Sequence, residues 1–156
     1  MANTAGLALS FKVELMNGSH SFGAQGANGT RTVTTKDVFN IALFLVTATR
    51  NNADTVYSVT GELAATGGYT AGGVALTNAT APVLNSTAAC WTPSAQAQWT
   101  AFTSSGAFDS AVIYNASSTS KLEVGVWSFG SQSITAGTFN LTMPANTIGN
   151  ALVQVS

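Results

Sequence analysis

The sequence predicts an all-β chain, a single antiparallel sandwich preceded by a short helix or arm. Three observations lead there. Short runs rich in Val, Ile, Thr, Phe, Tyr and Trp are separated by Gly, Asn, Ser and Pro turn chemistry. Beyond residue 36 no segment keeps a helical period over three turns. Hydrophobic residues make up 46 % and charged residues only 7 % of 156 residues, enough apolar area for one domain and far too little charge for a disordered polyelectrolyte.

The first sixteen residues are the one stretch with a helical pattern. Leu7, Phe11 and Leu15 recur at four-residue spacing with Lys12 and Glu14 off that stripe, and Asn17-Gly18 supplies a C-cap. About ten residues is short for a free helix, so it must dock, either on its own domain or on a neighbouring subunit. Gly23–Thr35 (GAQGANGTRTVTT) follows as a Gly/Asn/Thr-rich loop without apolar period, expected to be mobile or ordered by a partner. These two pieces make an N-terminal unit over 1–35, ahead of a β-sandwich domain over 36–156.

Phe39–Ala48 (FNIALFLVTA) is almost continuously apolar, the pattern of a strand covered on both faces. Arg50–Asp54 is a turn and Val56–Leu63 (VYSVTGEL) a second strand. Gly67–Gly73 is a tight connection into Val74–Thr77. It lacks the Gly-Lys-Ser/Thr ending of a phosphate loop, so its glycines serve positive φ angles. Ala97–Thr103, Ala111–Asn115, Lys121–Phe129, Thr138–Met143 and Ala151–Val155 complete the set, each bounded by turn residues. Strands this short at this spacing fit a jelly-roll or immunoglobulin-like sandwich.

Composition excludes several function classes. Lys12, Arg31, Lys36, Arg50 and Lys121 are scattered and the formal net charge is -1, so no cationic cluster exists to displace phosphate counterions; no nucleic-acid partner is expected. One His and one Cys cannot build a zinc site, and neither metal nor cofactor is expected. His20 follows a helix cap and fits a polar turn residue. Cys90, flanked by Ala89 and Trp91, has no cation near it in sequence to activate a thiolate and fits an inert core position. The carboxylates Glu14, Asp37, Asp54, Glu62, Asp109 and Glu123 are isolated along the chain, which favours surface and turn roles over catalysis. Trp91, Trp99 and Trp127 fit core positions, Trp127 sharing a strand face with Phe129 and opposed to Val124 and Val126. The longest purely apolar run, Ile41–Val46, is six residues, about a third of a membrane span, and the start has no signal-peptide pattern. A single cysteine excludes an internal disulfide framework and fits synthesis in a reducing cytosol. Six Asn-x-Ser/Thr triplets arise by chance in so Asn- and Thr-rich a chain.

What remains is a nearly neutral surface of hydroxyls and amides, cheaper to desolvate than ions; it fits permanent contact with protein and equally a β-domain whose polar residues happen to be Thr and Ser.

Several segments taken together resemble a family of small structural proteins of tailed-bacteriophage virions. They are Phe11–His20 (FKVELMNGSH), Asp37–Thr49 (DVFNIALFLVTAT), Tyr57–Thr77 (YSVTGELAATGGYTAGGVALT), Ala111–Asn115 (AVIYN), Val126–Gln132 (VWSFGSQ) and Gly137–Gln154, in conserved order across nearly the whole chain. Gly23–Thr35 and Asn78–Phe108 depart from the pattern. The resemblance implies a non-enzymatic, all-β virion component present in many copies, made in the bacterial cytoplasm. The reading favoured is a capsid decoration, or cement, protein outside the assembled head, with the major capsid protein and further copies of the chain as partners. Leu7, Phe11 and Leu15 are then the apolar face of a partner-binding arm, and Gly23–Thr35 orders on binding. The rival readings are a tail-tip or fibre module, with Trp91, Trp99 and Tyr69 as an aromatic shelf for host glycan, and a tail or neck component.

Overall fold

The computed structural model describes residues 3–23, 36–77 and 81–156, and within them the chain is an all-β, sandwich-like fold of antiparallel sheets. In chain order the elements are β1 (Gly6–Leu7), α1 (Phe11–Met16), β2 (Phe39–Leu45), β3 (Val74–Ala75), β4 (Val83–Asn85), β5 (Ala88–Trp91), β6 (Ala97–Phe102), β7 (Phe108–Asn115), β8 (Glu123–Gln132), β9 (Gly137–Leu141) and β10 (Val153–Val155). The main sheet runs β1-β8-β7-β2-β3; β10-β5-β4 and the ribbon β6-β9 form two smaller sheets.

β2 explains the architecture. Its alternate residues Phe39, Ile41 and Leu43 enter the principal core with Ala111 and Ile113 of β7, where they meet Trp91, Trp99, Phe102 and Val153 from the smaller sheets. The residues between them, Ala42 and Phe44, enter a second core with Val112, Tyr114 and Val126, closed by Ala48 and Tyr57 from the following loop. A strand covered on both faces needs apolar side chains on both, hence the nearly continuous run, interrupted only by the half-buried Asn40. Each fully buried large side chain contributes roughly 1.5–3 kcal/mol of hydrophobic stabilisation.

The connection before β3 depends on glycine. Gly73 has φ +71°, and a Cβ there would lie 1.8 Å from the carbonyl oxygen of Ile41. Only a residue without a side chain brings β3 beside β2.

Several expectations are corrected. The helix expected over the first sixteen residues is limited to Phe11–Met16, because Gly6 and Leu7 are spent on pairing with Val126 and Gly125 of β8. Val56–Leu63 is no strand; its backbone forms isolated bridges at Val56–Leu122 and Phe44–Glu62, with Gly61 at φ +80° turning the chain. β4 and β5 were not expected. Trp127 and Phe129 do share the principal core, yet Val124 joins them there while Val126 faces the other way. A register shift at Ile113/Tyr114 inserts the extra residue that puts Val124 and Val126 on opposite faces. Packing also does not follow a division at residue 35. Thr4 and Leu9 donate backbone hydrogen bonds to Arg50 and Asn52, Ala8 donates to Val124, and Phe11 is fully buried. The Gly23–Thr35 loop lies outside the described residues from 24 onward.

Candidate interaction surface

Helix α1 is apolar on two sides, and the two sides have different fates. Phe11 is buried against His20 and Phe22, with ring centroids 5.2 and 5.9 Å away, and Leu15 packs beside it on the principal core. Leu7 packs on the same core from β1. The three residues expected to face a partner therefore face their own domain, the other docking option for so short a helix. On the opposite side Leu9, in the turn entering the helix, is 70 % exposed, Val13 59 % and Met16 88 %. Their spacing of four and then three residues is itself helical, so the sequence carries a second apolar stripe beside Leu7, Phe11 and Leu15.

Between the inner face of α1 and the small sheet lies an open apolar groove of about 210 Å³, lined by Phe11, Leu15, Cys90, Trp91, Val153 and Val155 among others. Across that sheet Val155, Ala89 and Leu84 stand in one row of paired positions, Leu84 at the β4 edge being exposed. Cys90 itself is fully buried, its thiol near the Ala88 carbonyl, as expected of a core position. Trp91, Trp99 and Tyr69 are all buried, so the aromatic shelf of the glycan-binding reading is not at the surface.

The titratable groups gather into three structural clusters. Glu62, expected at the surface, is buried; its carboxylate accepts from the hydroxyls of Tyr57 and Tyr69 and from the backbone N–H of Gly72. The Tyr69 oxygen in turn accepts the N–H of Leu43 at 2.9 Å, and the Tyr114 hydroxyl donates to the carbonyl of Gly72 at 2.8 Å, so the glycine-rich loop is tied to β2 and β7. Burial first, and then the hydrogen bond to Glu62, raises the phenols of Tyr57 and Tyr69 well above their ordinary range.

Glu123 is the second buried carboxylate. Arg50 donates to its Oε2 while Oε1 has no protein partner, and the Arg50 Nε lies 3.4 Å from Asp54. Burial pushes the Glu123 carboxyl up to about 7, against the opposing pull of Arg50. Arg50 also binds the N-terminal segment, its backbone N–H donating to the Asn3 side chain at 2.8 Å.

The third cluster surrounds His20, expected as a polar turn residue and found buried. Its Nε2 sits 2.8 Å from Glu14 Oε2, and Asn115 Nδ2 approaches its Nδ1 at 3.3 Å while donating to Asp37 at 2.7 Å. The cluster fastens α1, the entry to β2 and the end of β7. Among the described residues no group of three or more His, Cys, Asp and Glu could hold a metal ion, and no helix is long and apolar enough to cross a membrane.

The outer face of α1 is thus an exposed apolar surface on a helix whose inner face packs on the principal core. No family model, curated protein or solved structure matches the chain.

Proposed function

We propose that this chain is a non-enzymatic structural component of a tailed-bacteriophage virion, a decoration protein that binds the outside of the assembled head and bridges capsid subunits. The observation that carries the reading is a surface poor in ions that leaves a seated helix with an apolar outer face. The sequence has only eleven Lys, Arg, Asp and Glu residues, and Arg50, Glu62 and Glu123 among them are buried in the fold. Hydroxyls and amides then dominate the remaining surface, and such groups desolvate at lower cost than charges. The ordered resemblance of Phe11–His20, Asp37–Thr49 and Tyr57–Thr77 to phage structural proteins supports the same reading.

Bridging works by addition. Each copy contributes a modest contact, and engaging two subunits at once raises the effective concentration of the second contact. Binding the assembled lattice better than free subunits stabilises the shell by mass action. The copies meet as neighbours in an array on the particle. Protein added to purified heads stripped of it should bind at many copies per head and raise their resistance to heat. Saturation at a few copies, or heads that melt unchanged, overturns the reading in favour of a tail or neck component.

A further inference from the structure

We infer that His20 is an acid-sensitive clasp: neutral, with its hydrogen on Nε2, it holds α1, the entry to β2 and the end of β7 together, and a second proton on Nδ1 opens that junction. The inference does not rest on the virion reading. It follows from which atoms around the ring can donate and which can accept. Nε2 faces Glu14 Oε2 at 2.8 Å, and a carboxylate oxygen only accepts, so Nε2 carries the hydrogen. Nδ1 faces Asn115 Nδ2 at 3.3 Å, and an amide nitrogen only donates, so Nδ1 offers its lone pair.

The Asn115 amide is not free to turn round. Its Oδ1 accepts the backbone N–H groups of Ser117 at 3.0 Å and Ser118 at 3.1 Å, while its Nδ2 donates to Asp37 at 2.7 Å and to the Ser19 carbonyl at 3.2 Å. Reversing it would set oxygen against two acceptors and –NH₂ against two donors. Asp37 also accepts the N–H of Ser21 at 2.7 Å, so one network joins the chain after α1 to β2 and β7.

A proton taken from water onto the Nδ1 lone pair makes that nitrogen a donor aimed at a donor. The side chain is fully buried, so solvent does not relieve the clash. The charged groups facing the ring are Glu14 from α1 and, through Asn115, Asp37 ahead of β2; the rings of Phe11, Phe22 and Phe39 stand 5.2, 6.1 and 6.1 Å away. Glu14 attracts the added charge, but it already takes the Nε2 hydrogen and gives Nδ1–H no acceptor. The contact that yields is therefore the one to Asn115, and with it the ties of Ser19 and Ser21 to β7 and Asp37.

His20 is the one imidazole of the chain, so its ring nitrogens are read without ambiguity by NMR of 15N-labelled protein. The expected spectrum at about pH 8 is a neutral ring with hydrogen on Nε2, and at about pH 5.5, above the ordinary carboxylate range, a protonated ring. Hydrogen exchange is followed at the amides of Ser19, Asp37 and Ala116, which donate to Glu14, Ser21 and Val38 across the junction. Their protection, corrected for the intrinsic pH dependence of exchange, should fall at least about tenfold with the midpoint of the imidazole, while amides in the middle of β2 and β7 keep theirs. Glu123 titrates in the same window, so His20→Gln, which retains Glu123 and takes up no proton at position 20, is the control and should show flat protection. Hydrogen on Nδ1 at pH 8, a ring still neutral at about pH 5.5, or a protonated ring with protection unchanged would each overturn the inference. So would a folded His20→Gln that loses protection as the wild type does. Should that variant not fold, the wild-type tautomer and the shared midpoint decide by themselves.

Discussion

Replacing Phe11 by Ala separates a seated helix from a free arm. Phe11 is fully buried, with His20 and Phe22 against its ring, and its removal takes an aromatic side chain from the principal core. Phe→Ala at a sealed core site costs about 3–5 kcal/mol. Phe11 also lines the open groove, so water can enter part of the space it leaves, which places the expected cost at about 3 kcal/mol, the lower end of that range. For a chain of this length the melting temperature should fall on the order of 10 °C. Met16→Ser on the other face of the same helix should stay within about 0.5 kcal/mol of wild type. Urea unfolding followed by tryptophan fluorescence measures both. A loss under about 1 kcal/mol for Phe11→Ala would show that α1 is an appendage, and the reasoning that seats it on the principal core through Phe11 would fail with it.

Three further outcomes follow from the same structure. Gly73→Ala should destabilise by more than about 2 kcal/mol, since the added methyl meets the Ile41 carbonyl, and equilibrium unfolding would expose the error if the variant were as stable as wild type. Glu123 holds its proton in the folded protein up to about pH 7 but loses it near 4.5 when unfolded, so stability should fall as pH rises through that window, by up to about 3 kcal/mol. Glu123→Gln should remove that component, and identical stability slopes between pH 5 and 7 in the two proteins would contradict it. The phenols of Tyr57, Tyr69 and Tyr114 are all raised, chiefly by burial, so the native protein should show little tyrosinate absorbance at pH 10, where an ordinary tyrosine is half ionised, until it is unfolded; a normal titration in the native state would rule out the Glu62 cluster as drawn.

How much the sequence discloses depends on where the deciding partner lies. β2 was legible because cover on both faces leaves its mark within seven consecutive residues, and the positive φ at Gly67, Gly68, Gly72 and Gly73 follows from glycine itself. Leu7 misled because spacing of four suits both an alternating strand and a helix; its pairing with Gly125 is a contact across more than a hundred residues. Val56–Leu63 alternates like a strand, yet Glu62 turns inward to Tyr57 and Tyr69 instead of entering a ladder. β4 and β5 are only 3 and 4 residues long, and β5, half of it alanine, owes its place to β10 near the C-terminus. The burial of Glu123 was hidden for the same reason, its partner Arg50 being 73 residues away. At the candidate surface the helix was visible and its orientation was not. Both stripes of α1 are apolar, and only the tertiary fold decides which one faces inward.

The most direct measurement is a reconstruction of the phage particle that places this chain in density. The account predicts the sandwich repeated over the outside of the head, at junctions between capsid subunits. A ring at the neck, a few copies at the tail tip, or a head surface without the chain would contradict it.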